Sequence, residues 1–164
     1  MRIIRGDFGD PRVIELLQHH VTTAVAQTAP GSAHALDIDG LRAPDIEFWA
    51  AWDGEALLGC AALKALSLDH GEIKSMHVAQ AQRRKGAGRA LLEHLIERAH
   101  AKGMRRLNLE TGSWDYFRPA QALYQNRGFV ECAPYAGYQP DCNSIFMCLE
   151  LSGTNAAPDA ISSS

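Results

Sequence analysis

The stretch from Ile73 to Arg89 constrains the fold more than any other. An apolar run, Ile73-Lys-Ser-Met-His-Val78, passes through Ala79-Gln-Ala-Gln82-Arg83-Arg84-Lys85-Gly86-Ala87-Gly88 into a helical pattern. The first part reads as a strand, and Gly86 to Lys102 as an amphipathic helix that turns Leu91, Leu92, Leu95 and Ile96 inward. A strand joined to a helix by a basic, glycine-containing loop collects unpaired backbone N–H groups at the positive end of the helix dipole, and glycine lets a phosphate approach the backbone. Arg83, Arg84, Lys85 and Arg89 put four cations beside that junction. The formal net charge of the chain is -3 and its pI is near 6.1, so this basic cluster is local and implies a local anion site.

The charge balance gives no general attraction to nucleic acid. A length of 164 residues and a 46% hydrophobic composition fit one domain with one core, expected over residues 1–151, with a small polar tail over 152–164. Cys60, Cys132, Cys142 and Cys148 lack CxxC spacing, and no apolar leader precedes them, so they read as reduced thiols of a cytoplasmic protein. No apolar run reaches the roughly 18 residues of a membrane span.

Met1 to Arg5 reads as a strand, and Asp10-Pro11 as the cap and first position of a helix running to about Ala29, where Pro30-Gly31 stops it. His34 to Pro44 is a loop with room for one helical turn. Ile46 to Trp52 and Leu57 to Leu66 form a hairpin about Asp53-Gly54. After the central strand and helix, Arg106 to Thr111 is a strand, Pro119 opens a helix that closes at Gly128, and Phe129 to Cys132 and Ser144 to Leu151 supply the last two strands. The order is β, α, β, β, β, α, β, α, β, β: a mixed α/β domain.

Two common phosphate loops are excluded. The P-loop needs G-x-x-x-x-G-K-S/T, which is absent. The dinucleotide fingerprint G-x-G-x-x-G fails because Leu91 follows Gly86 and Gly88 where the third glycine belongs. The pattern instead resembles motif A of the GCN5-related N-acetyltransferase (GNAT) superfamily, through Arg83, Gly86 and Gly88. Ala120-Gln-Ala-Leu-Tyr124-Gln-Asn-Arg-Gly128-Phe129 resembles motif B of the same superfamily, one helix and one strand downstream. The resemblance covers Met1 to Leu151. It implies a central, mostly antiparallel sheet of about seven strands flanked by helices and splayed between the fourth and fifth strands.

It also implies acetyl-coenzyme A as cosubstrate and no metal. The pyrophosphate would lie on Arg83, Arg84, Lys85, Gly86, Ala87, Gly88 and Arg89. The pantetheine arm would run past Met76, His77, Val78 and Thr111, with a nearby backbone amide polarising the thioester carbonyl. The expected reaction is direct attack of a neutral amine on the thioester in a ternary complex. Tyr124 matches a motif B tyrosine that in many relatives sits near the thioester sulfur, where a phenol with a pKa of about 10 can donate to the leaving thiolate; anchoring the helix, or touching the cofactor without proton transfer, is the alternative. Glu72, four residues before Met76, occupies the register of the general-base glutamate of histone-acetylating relatives. Glu110, His77 and a water chain compete for that role, and an exposed glutamate opening a strand is the plainer reading. Phe117 stands where many relatives have asparagine, so a polar contact to the arm is absent or comes from Thr111 or Ser113.

The acceptor side would draw on His34, Trp52 and Tyr138, with Leu36, Tyr135 and Cys142 nearby. An aromatic and histidine lining suits a small primary amine. A protein or peptide acceptor, or a non-catalytic coenzyme A-binding module, is the alternative. His19 and His20 are adjacent on a helix and diverge, which disfavours a metal. No nucleic acid or membrane partner is expected, and a homodimer through Trp49 or Trp114 is left open.

Overall fold

The computed structural model describes residues 1–32, 37–82 and 85–151. Seven strands form one sheet: β1 (Arg2–Arg5), β2 (Ile46–Asp53), β3 (Ala56–Ala65), β4 (His70–Val78), β5 (Arg106–Gly112), β6 (Val130–Glu131) and β7 (Ser144–Glu150). Their spatial order is β1-β2-β3-β4-β5-β7-β6, and every neighbouring pair is antiparallel except β4 with β5. The expected mixed sheet is present. Helices α1 (Pro11–Ala26), α2 (Ile38–Leu41), α3 (Ala87–Ala101) and α4 (Arg118–Arg127) flank it.

Each face carries its own core. Val13, Leu16 and Leu17 of α1 pack with Leu41, Phe48, Ala50, Trp52, Cys60 and Ala62. Leu91, Leu92, Leu95 and Ile96 of α3 pack with Leu58, Ala61, Leu63, Ile73, Leu107 and Leu109 on the other face. Burying each such side chain stabilises the fold by about 1.5–3 kcal/mol, enough to fix α3 against β3 and β4 without help from its termini.

That matters because the helices start differently. Asp10 caps α1 by accepting the Arg12 amide at 2.9 Å, and Asp37 caps α2 by accepting the Gly40 amide at 2.9 Å. The N-cap of α3 is Gly86, in the left-handed conformation at φ +82°, with no side-chain cap. Among the described residues no side chain caps the first amides of α3.

The second departure from regularity lies in β4. It pairs in parallel with β5 from His70↔Arg106 to Ile73↔Leu109, and there the pairing ends although both strands continue. The two strands splay. On its other edge β4 bulges against β3, where the partners pass from Ala62↔Lys74 to Cys60↔His77. Ser75, within the bulge, has φ +55°. Such a conformation costs a non-glycine residue on the order of 1–2 kcal/mol. Past the bulge Gly59 of β3 is required opposite Val78, because a Cβ there would lie 2.6 Å from the His77 carbonyl oxygen.

Candidate active site

The splay opens a cleft of about 630 Å³. One wall is β4 with Gly86, Ala87, Gly88 and Arg89 at the start of α3; Thr111 and Gly112 of β5, with Tyr116, Phe117, Ala120, Leu123 and Tyr124, close the side toward α4. Thus Met76, His77, Val78, Gly86, Ala87, Gly88, Arg89 and Thr111 from the sequence reading do meet around one space. Lys85 is exposed next to Gly86. Arg83, Arg84 and His34 lie outside the described residues.

The α3 junction fits a pyrophosphate by its own geometry. A Cβ at Gly86 would meet nothing within 4 Å, so the left-handed turn is open to approach, and Arg89 and Lys85 bring positive charge to an uncapped helix start. The backbone of β4 beyond Ile73 faces β5 without pairing to it, which leaves room for a chain-like ligand with amide groups.

Tyr124 lines this cleft and is 5% exposed. Phe129 packs against its ring edge at 5.8 Å. Burial, and then the negative charge of Glu110, push its pKa upward, so at neutral pH it is a phenol able to donate a proton.

Glu72 is 2% exposed, which corrects the plainer expectation of a solvated strand-opening glutamate. Its Oε2 accepts from the Tyr135 hydroxyl and the Tyr138 hydroxyl, each at 2.8 Å, and from Lys74 Nζ at 3.4 Å. Lys74 Nζ also donates to the Tyr138 hydroxyl at 2.8 Å. Both tyrosines hold their protons firmly, through burial first and then the adjacent carboxylate. Glu72 and Lys74 line the cleft, and the two phenols hold Glu72 from behind that lining. Tyr138 is not among the residues lining the cleft and meets it only through Glu72 and Lys74.

Trp52 does not. It is 6% exposed in the core beneath α1, with the Arg12 guanidinium 4.4 Å from its ring centre, and it lies outside the cleft. Its place in β2, separated from β4 by β3, sets that distance. Phe117 packs its ring on Gly112, where a Cβ would come within 2.1 Å of it. Ser113 gives its hydroxyl to the Cys142 carbonyl at 2.8 Å, leaving Thr111 as the residue of that pair that lines the cleft.

Several cleft residues drew no site reading from the sequence, His20 having been weighed only as a metal ligand. His20 of α1 meets His77 through their Nδ1 atoms at 3.2 Å, and burial, with a smaller contribution from His19, holds its pKa down at about 4. Ser32 donates to Asp141 Oδ2 at 2.6 Å. The hydroxyls of Thr28 and Ser75 are buried without a hydrogen-bond partner among the described residues, and both residues line the cleft. No periodicity or motif marks any of them. Among the described residues no group of three or more His, Cys, Asp or Glu side chains is arranged to hold a metal.

The profile of the Acetyltransferase (GNAT) family matches residues 13–129. The chain belongs to that family. It is 44% identical over 151 residues to the protein named uncharacterized N-acetyltransferase YsnE of Bacillus subtilis (strain 168), covering 92% of this chain and 100% of the relative. It is 40% identical over 152 residues to uncharacterized N-acetyltransferase YedL of Escherichia coli (strain K12), covering 93% and 96%. A Bacillus subtilis acetyltransferase solved in complex with CoA shares the fold at a TM-score of 0.68 and 21% identity, covering 92% of this chain and 98% of that one. As a GNAT acetyltransferase the chain is an acyltransferase.

Proposed function

We propose that this acetyltransferase moves an acetyl group from acetyl-coenzyme A to the primary amine of a small molecule, by direct attack in a ternary complex. The observation that carries the reading is the meeting, in one cleft, of an uncapped glycine-started helix, the unpaired edge of β4 and a buried phenol. The first suits a pyrophosphate, the second an extended arm bearing amides, and the third a leaving thiolate. Bound coenzyme would supply an activated acetyl group; the protein supplies position and proton transfer.

Tyr124 is the acid of this reading, because it lines the cleft as a phenol that carries its proton at neutral pH, when a thiolate with a conjugate acid near pKa 8.5 forms. Glu72 is the base. Its Oε2 is engaged by Tyr135, Tyr138 and Lys74, so Oε1 is the oxygen that takes a proton from the acceptor's ammonium, directly or through one water. A small acceptor is supported by the mixed lining of that wall, where His20, Thr28, Ser32, Glu72 and Lys74 close around the cleft.

The test is a panel of free amines, amino acids and short peptides with acetyl-coenzyme A, scored by thiol release. Turnover confined to free amines or amino acids supports the reading. Turnover confined to peptides gives the site to a protein acceptor, and binding of coenzyme without turnover on any acceptor gives it to a non-catalytic module.

A further inference from the structure

Three donors converge on one oxygen of Glu72 and none on the other. Oε2 takes the Tyr135 and Tyr138 hydroxyls, each at 2.8 Å, and Lys74 Nζ at 3.4 Å. Oε1 accepts no hydrogen bond among the described residues yet keeps accessible surface, in a residue that lines the cleft. A buried carboxylate that served the fold alone would ordinarily be met at both oxygens, since each carries lone pairs to satisfy.

The two phenols reach Oε2 through a turn that the chain holds against its preference. Tyr138 N donates to the Tyr135 carbonyl at 2.9 Å, across Ala136 at φ +49° and Gly137 at φ +83°. Two left-handed central residues are the mark of a type I′ turn, and alanine seldom adopts that conformation. Such backbone persists where its surroundings over-determine it. Here the Tyr135 and Tyr138 rings lie 5.2 Å apart, and both pack on Phe146 of β7, at 5.9 and 5.7 Å. Lys74 supplies charge more than direction, because its ammonium lies closer to the Tyr138 hydroxyl, at 2.8 Å, than to the carboxylate. Tyr138 therefore accepts from Lys74 and donates to Glu72. Burial, and then the charge of Glu72, keep the protons on both phenols, so these bonds hold one direction at neutral pH.

We propose that Tyr135 and Tyr138 are positioning residues of the transfer, which occupy Oε2 of Glu72 and so present Oε1 to the acceptor's ammonium. The inference rests on the reading of Glu72 as the base. A proton passes from the acceptor nitrogen to Oε1, directly or through one water, and the freed electron pair forms the bond to the thioester carbonyl carbon. The carbon–sulfur bond breaks, and the sulfur leaves with its electron pair and takes a proton from Tyr124. A carboxylate free to turn would offer either oxygen, and a misplacement of about 1 Å costs up to about 100-fold in rate.

The experiment is a mutant cycle on the full chain, with acetyl-coenzyme A and the fastest acceptor of the amine panel. Tyr135→Phe and Tyr138→Phe, singly and together, are made in the wild type and in Glu72→Gln with Lys74→Met, a background without an unpaired buried charge. The phenylalanine rings keep their packing on Phe146, and calorimetric binding of acetyl-coenzyme A reports that each variant is folded. In the wild type each substitution should lower kcat about tenfold and the pair about 100-fold, with the KM for acetyl-coenzyme A changed less than about twofold. In the Glu72→Gln background the same pair should change kcat less than about twofold, because the phenols act only through the carboxylate. If the pair fails to fold, Tyr135→Phe alone carries the comparison. An unchanged kcat in the wild type, or equal losses in both backgrounds, overturns the positioning role and leaves Glu72 as the base. Wild-type turnover in Glu72→Gln with Lys74→Met, or no turnover of any acceptor by the wild type, overturns both.

Discussion

The proposed donor wall of the cleft comes from two neighbouring stretches, Ile73 to Val78 and Gly86 to Arg89, whereas the proposed acceptor wall is gathered from distant parts of the chain. Tyr135 and Tyr138 reach Glu72 across 63 and 66 residues, and Ser32 reaches Asp141 across 109. The donor wall works through backbone: a left-handed glycine, an uncapped helix start and an unpaired strand edge. The acceptor wall works through side chains, with a buried carboxylate, an ammonium, two phenols and paired imidazoles. A backbone site depends on a few φ angles and tolerates many sequences. A side-chain site can change its ligand by single substitutions while the fold persists.

The largest effect is expected at Tyr124, the acid proposed above, which belongs to neither wall. Tyr124→Phe keeps the ring against Phe129, and transfer should fall by about 10²- to 10⁴-fold while coenzyme affinity stays near wild type. Stopped-flow thiol release beside calorimetry checks it; an unaltered rate removes the proposed acid.

Glu72→Gln tests the acceptor wall. It leaves the Lys74 ammonium, with only 8% of its side chain exposed, without a counter-charge, at a cost of about 3–5 kcal/mol in denaturant unfolding. Adding Lys74→Met should recover most of that stability without recovering turnover. Recovery of both would mean that Glu72 serves the fold alone.

Gly86→Val tests the donor wall. A β-branched residue at φ +82° strains the junction by about 1–2 kcal/mol, so coenzyme binding should weaken about tenfold with acceptor KM unmoved. Equal weakening of both ligands would dissolve the distinction between the walls.

A smaller effect is expected with pH. His20 has a folded-state pKa near 4, below its ordinary 6.5, so the folded protein binds fewer protons than the unfolded chain between those values. Its contribution is fully present above about pH 6.5 and is lost as pH falls toward 4. Thermal melts across this window should show a decline that flattens in His20→Asn. The smallest effect belongs to Trp52→Phe: melting falls slightly while both KM values remain, because Trp52 lies in the core beneath α1.

What could be read from sequence follows the same line. The strand order, α3 and its glycines were legible because they depend on local periodicity and local φ requirements. Local cues misplaced some ends. The α1 helix stops at Ala26, before the Pro30-Gly31 signal, and β4 begins at His70 because Gly71, a poor strand former, pairs with Leu107 and admits the Met104 sulfur. Glu72 could be singled out by register, but its burial could not, since its partners come from beyond β5. Ser75 carries no local mark at all. Its φ is set by the bulge between β3 and β4, a property of the pairing of two strands.

The central claim is that the junction of β4 and α3 holds acetyl-coenzyme A. Calorimetric titration of the full chain with acetyl-coenzyme A, beside the Gly86→Val variant, tests it most directly. The account predicts saturable binding of one molecule per chain, weakened about tenfold by the substitution. Absence of binding to the wild type, or identical affinity in the two proteins, would contradict it.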